Sequence, residues 1–121
     1  MNEKTKIYTQ NELYENNINT NEYKLNEEVG EFVGTLKLKA WTSRSRAKGS
    51  GKAVRAFFEL KDGRKIIAMA QPFRIEQFAM ICAAEIGQQF KLRFEASSSR
   101  FIFLAELEVK AEDDDLPEEI V

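Results

Sequence analysis

The chain has 121 residues, no histidine, one cysteine and a formal net charge of −2. That composition leaves room for one small core, excludes a zinc site of His/Cys type and removes histidine from acid–base or triad chemistry. The charge is segregated: residues 1–29 carry −3, residues 30–110 carry +7 and residues 111–121 carry −6. A basic middle asks for a polyanionic partner, of which nucleic acid is the commonest.

Residues 1–28 form a polar arm with repeated Asn and scattered Tyr8, Leu13, Tyr14, Ile18 and Tyr23. Low hydrophobicity predicts a flexible segment; the alternative is a short strand or helix that docks those tyrosines on the body. The polar start shows no secretory signal and the lone Cys82 fits a reducing compartment, so a cytoplasmic protein is expected.

Residues 29–110 carry strand alternation almost at once. A first strand over 31–41 sets Phe32, Leu36, Leu38 and Ala40 on one face and Thr35, Lys37, Lys39 and Trp41 on the other. A loop rich in Ser, Gly and cations follows, with Arg44, Arg46, Lys48 and Lys52. Its Gly49-Ser50-Gly51-Lys52 stretch lacks the spacing and following helix of a P-loop. A second strand over 53–60 alternates Val54, Ala56, Phe58 and Leu60 against Arg55, Phe57 and Glu59. Asp62-Gly63 marks a hairpin, and a bulged turn is preferred because it sets Lys65 across from Glu59 and Ile67 beside Phe57. The third strand, 64–70, then keeps Ile66 and Ala68 inside.

Pro72 opens a helix that Gly87 closes, with Ile75, Phe78, Ala79, Cys82 and Ile86 as its apolar stripe. Cys82 on that stripe reads as packing. A fourth strand alternates Phe90, Leu92 and Phe94 against Lys91, Arg93 and Glu95. After the turn at Ser97-Ser98-Ser99, a fifth strand over 100–109 offers Phe101, Phe103, Ala105, Leu107 and Val109 to the core. The fold class is therefore mainly β with one helix. The order β-β-β-α-β-β is that of a five-stranded OB-fold-like barrel, with another small β-barrel of SH3-like type as the alternative.

Single-stranded nucleic acid needs cations for phosphates and flat rings for bases. The outward groups of the first three strands supply both: Lys37, Lys39, Trp41, Arg55, Phe57 and Lys65, with Ile67 and Met69 beside them. Trp41 and Phe57 are the expected stacking rings, unless the arm covers them or the chain dimerises there. Arg44, Arg46, Lys48 and Lys52 are the expected phosphate contacts in a loop that borders the groove of OB-folds, and Lys91, Arg93 and Arg100 extend the path.

Residues 111–121 form an acidic tail. Asp113-Asp114-Asp115-Leu116-Pro117 resembles the C-terminal tip of bacterial and phage single-stranded-DNA-binding proteins of the OB-fold type. Glu118-Glu119-Ile120-Val121 stands where that family has a single terminal phenylalanine; Ile120 and Val121 are apolar substitutes. The resemblance implies a non-catalytic, oligomeric protein of replication, recombination or repair. It would bind single-stranded DNA with little sequence preference, and its tail would dock on partner enzymes. The Asn, Lys, Glu and Ile usage suggests an AT-rich genome such as that of a phage or mobile element. No catalytic residue, metal or cofactor is expected, since the eight carboxylates of residues 30–110 are dispersed. Single-stranded RNA is an alternative ligand. An OB-like module for protein interaction or oligomerisation, in a replication or conjugation complex, is the rival function.

Overall fold

A computed structural model describes residues 3–42 and 52–110. A 3-10 turn at Glu3–Thr5 precedes α1 (Gln10–Glu15), β1 (Lys24–Leu25), β2 (Gly30–Trp41), β3 (Val54–Leu60) and β4 (Lys65–Ala70). Then come α2 (Ile75–Ala83), β5 (Gln89–Ala96) and β6 (Ile102–Val109). The strands form one sheet in the order β1-β4-β3-β2-β5-β6, with β1 parallel to β4 and every other pair antiparallel. The architecture is mainly β with one main helix, as the alternation predicts. It departs from a closed five-stranded barrel: a sixth strand is added, and no ladder joins the two edges. β4 and β6 nevertheless approach to within 8 Å, Cα to Cα, so the sheet curls around a single core with a gap between them.

β2 makes that curl. Its first half pairs with β5 and its second with β3. Gly34 sits in the overlap, where a Cβ would come within 3.0 Å of Leu60 Cδ2 and 3.3 Å of Phe58 Cβ. The β3–β4 hairpin has the bulged form. Gly63 N donates to Leu60 O across 2.9 Å and Leu60 N to Arg64 O across 2.8 Å. Gly63 takes a φ of +96°, which a residue without Cβ adopts at little cost. Lys65 therefore faces Glu59 and Ile67 faces Phe57, as read from the sequence.

Two β-bulges overturn the expected faces elsewhere. In β2, Leu36 pairs with Phe58 and Leu38 with the adjacent Phe57, so Lys37 is an extra residue. Beyond it every side chain changes sides. Leu38 and Ala40 turn outward, and Lys39 and Trp41 turn into the core. In β6, Phe94 pairs with Leu104 and Arg93 with Glu106, leaving Ala105 as the extra residue. Ile102 and Leu104 thus point inward, whereas Phe103 shares the outer face with Glu95 and Phe101 is 61 % exposed. Phe101 and Phe103 are not core residues, and Val109 at the strand end is 50 % exposed.

The helix is shorter than its sequence limits suggested. Pro72 to Arg74 form a turn, with Arg74 N donating to Gln71 O across 3.0 Å, and Ile75 in the first turn is 75 % exposed. Ile81, off the predicted stripe, is fully buried, while Ala79 faces solvent. The arm also departs from the flexible segment expected of it and follows the docking alternative. Thr9 caps α1 reciprocally with Glu12, Tyr8 bridges Ala40, and Leu13 is buried against Ala40 and Phe57. Among the described residues no helix is long and apolar enough to cross a membrane.

Candidate nucleic-acid interface

The expected interface is the outer face of β2, β3 and β4, and the structure divides its residues into three groups. Arg55, Phe57 and Lys65 do converge there. The Arg55 guanidinium lies 5.5 Å from the Phe57 ring centroid, and Ile67 packs against the same ring cluster. Lys37 is exposed beside them, 3.7 Å from Glu59, and Lys52 is exposed at the start of β3. The second group does not reach this face. The third, Arg44, Arg46 and Lys48, lies outside the described residues, as do Asp113, Asp114, Asp115, Leu116, Pro117, Ile120 and Val121 of the tail.

Lys39 is the clearest correction in the second group. The bulge at Lys37 turns it inward, where it is fully buried. Its Nζ donates to the carbonyl oxygens of Ile81, Cys82 and Ala84 at 3.0, 2.9 and 2.6 Å. An ammonium has three donors, and all three are used on carbonyls at the end of α2, where Ile81 O also accepts from Ala84 N at 3.1 Å. The positive charge also sits at the negative end of the helix. Burial pushes the Lys39 ammonium below the ordinary lysine range, and the nearby Cys82 sulfur acts in the opposite sense. Burial likewise raises the Cys82 thiol. Lys39 is thus a helix-terminating strut and not a phosphate contact.

Trp41 follows the same logic. Its ring is half-buried, tilted against Phe78 with centroids 6.4 Å apart, so it is not an open stacking platform. Lys91 and Arg93 lie on the outer face of β5 among Glu31, Glu106 and Glu108. Arg93 is ion-paired with Glu95 and, at 3.2 Å, with Glu106, so this side of the sheet has no surplus of positive charge.

The arm occupies the face where the first group converges. Phe57 is fully buried, and Tyr23 packs edge-on against it with centroids 5.2 Å apart. Gln10 Oε1 accepts from Arg55 Nη2 at 2.5 Å, and Trp41 O accepts from the same nitrogen at 3.3 Å. Among the described residues Arg55 Nε is buried without an acceptor, and burial lowers the Arg55 pKa. The Glu22 carboxylate accepts from Lys65 Nζ; this contact holds Glu22 below the ordinary carboxylate range and raises Lys65. An anion, an acceptor and an aromatic ring therefore rest on Lys65, Arg55 and Phe57.

A second aromatic cluster lies across the gap between β4 and β6; sequence reasoning placed Phe101 and Phe103 in the core and gave Phe73 and Arg74 no role. Leu25, Met69, Phe73, Arg74, Phe101 and Phe103 line a cleft there of about 160 Å³. The Arg74 guanidinium stands 4.0 Å from the Phe103 ring centroid and 5.4 Å from that of Phe73. The one available signal was Ala105: a small residue in a strand of large ones, where a bulge is easily housed. Among the described residues no group of acids and Cys82 is arranged to hold a metal ion. No family model, curated protein or solved structure matches the chain.

Proposed function

We propose that this protein is a non-catalytic binder of single-stranded nucleic acid, with the arm as an intramolecular competitor for the binding face. The observation that carries the reading is the match between the arm and such a ligand. Glu22 on Lys65, Gln10 on Arg55 and Tyr23 on Phe57 supply the charge, acceptor and ring that a phosphate and a base would supply. The basic charge of residues 30–110 supports it, since phosphate contacts dominate such affinity. The last five strands, with α2 between β4 and β5, fit a partly open OB-like barrel whose corresponding face binds oligonucleotides. In this reading the β2–β3 loop, with Arg44, Arg46, Lys48 and Lys52, closes over the backbone, and the acidic tail serves cytoplasmic replication or repair proteins. DNA is the lead ligand and RNA the alternative.

The test is fluorescence anisotropy of labelled oligo(dT) with the full chain and with Leu13→Asp. Leu13 of the arm is only 6 % exposed, packed against Ala40 and Phe57, so a carboxylate there expels the arm from the face. Both proteins should bind, the variant several-fold tighter. Affinity should fall with salt, with a log–log slope of about −0.7 per phosphate neutralised. Absence of binding by either protein at low salt overturns the reading.

A second reading, a module that assembles through sheet edges, is favoured by one observation. β6 is an open edge of the sheet, and an unpaired strand is a template for another chain. Sedimentation across a concentration series separates the two, because an edge-built oligomer forms without oligonucleotide.

A further inference from the structure

We infer that the cleft between β4 and β6 is a second, uncovered nucleobase-stacking site, in which Phe73 and Phe101 take an unpaired base and Arg74 its phosphate. The inference rests on the single-strand reading and goes beyond it by placing the first contact away from the face that the arm covers.

Exposure comes first. Phe73 is 66 % and Phe101 61 % exposed, yet each is held in place by its backbone. Phe101 ends a hairpin in which Ser97 N donates to Phe101 O at 2.8 Å and Phe101 N to Ser97 Oγ at 3.1 Å. Phe73 lies between Pro72, whose φ is fixed, and Arg74, whose carbonyl accepts the Phe78 N–H of the first helical turn at 2.9 Å. Rings presented from rigid turns lose little freedom on binding, which favours affinity.

Charge selects the occupant. Among the described residues no carboxylate lines the cleft. Lys37, Arg64, Lys65 and Arg93 are in ion pairs, whereas Arg74, like the exposed Lys52 and Lys91, is in none among the described residues, and Arg74 is stacked on the cleft's rings. A ligand that places a flat ring beside an anion complements this arrangement, and a single strand repeats that pair at every nucleotide. The volume of about 160 Å³ is below the 300–1,000 Å³ or so of typical small-molecule sites, so the cleft receives one flat group.

Continuity gives the site a role. Ile67 and Met69 of β4 line the cleft, and Ile67 also packs against the Phe57 cluster. A strand anchored in the cleft therefore lies against the edge of the arm, and extending it along β4 displaces Tyr23 and Glu22 from Phe57 and Lys65.

The experiment is oligo(dT) anisotropy on the full chain, comparing the wild type, Phe73→Ala, Phe101→Ala and the double variant, with thermal unfolding as a control for folding. Each ring should be worth roughly 5- to 150-fold in affinity, the range that stacking on one aromatic spans. Unfolding should be unchanged, because both side chains face solvent. Wild-type binding that the double variant retains within about twofold overturns this inference and leaves the single-strand reading standing. Failure of the wild type to bind at low salt removes both. Capture of poly-glutamate as tightly as oligo(dT), lost in the double variant, also overturns it, since the cleft would then take an acidic peptide.

Discussion

The second half of β2 and the first half of β6 have exchanged the roles that alternation assigns them. Trp41 and Lys39, placed outside by alternation, pack inward, whereas Phe101 and Phe103, placed inside, line the open cleft. Both exchanges have the same physical cause. The extra residues Lys37 and Ala105 each shift the pairing by one, and a one-residue shift breaks a single alternation: the side chains beyond Lys37 and those before Ala105 take the opposite face to the one it assigns. Which aromatic rings are open to a ligand is therefore decided by two positions that carry no aromatic ring.

The strongest way to break that comparison is at Lys39. With its three carbonyl contacts and full burial, Lys39→Ala should cost about 2–5 kcal/mol, the range for emptying the volume of a large buried side chain. Lys39→Met keeps the volume but removes the ammonium from the carbonyls of Ile81, Cys82 and Ala84, of which Ile81 O keeps the Ala84 N–H, for a smaller loss of roughly 1–3 kcal/mol. Denaturant unfolding measures both. A loss from Lys39→Ala below about 1 kcal/mol, in the range of ordinary surface substitutions, would return Lys39 to the outer face and undo the first bulge.

Deleting Lys37 sharpens the same point. Removal of the extra residue leaves Leu36 inside, Leu38 outside and Lys39 inside in plain alternation, so the deletion should be tolerated at a cost within about 2 kcal/mol. A strand without a bulge would instead lose its core, because every residue beyond the deletion would change face. Retained cooperative unfolding, with Trp41 still shielded from a soluble quencher, is the expected result. An unfolded deletion variant would show that alternation runs unbroken through β2.

Much of the fold was legible because local chemistry and the period of two agree along most of the chain. Asp62-Gly63 fixed its hairpin register through a turn only glycine closes easily, and the Val54 to Leu60 alternation survived intact. The β2 bulge was not legible, since no hydrophobic pattern marks its extra residue, and Ala105 was the one hint of the other; the β2 inversion appears only when Phe57 and Phe58 are seen to face Leu38 and Leu36. The candidate site was half legible for the same reason. Arg55, Phe57 and Lys65 converge as their strands predicted, but cover by the arm stood only as the alternative, because its polar composition argues for a flexible segment. Its docking depends on Leu13, on the Thr9–Glu12 cap and on partners far away in sequence. Lys39 was misread because lysine belongs on surfaces, and nothing local announces that a helix will end above it.

The smallest effect separates the two regions by charge alone. Glu22 is held below the ordinary carboxylate value of 4.5 by its hydrogen bond to Lys65, and Glu12 by the Thr9 backbone and Lys6. A lowered folded value means that these groups stabilise the docked arm when ionised. Their contribution is whole above the ordinary value and is lost as the pH falls through the folded one. Acidification from about pH 6 to about pH 3, across the carboxylate range, should therefore shift the NMR signals of Leu13 and Tyr23 towards a released arm. Signals of Phe73 and Phe101 should move less, because among the described residues no carboxylate lines their cleft and the arm reaches it only through Leu25 and Asn26. Glu22→Gln should remove part of the arm's response and leave the cleft unaffected. If the two regions titrate together, the arm and the cleft are one cooperative unit, and a ligand seated beside Phe101 would feel the arm before displacing it.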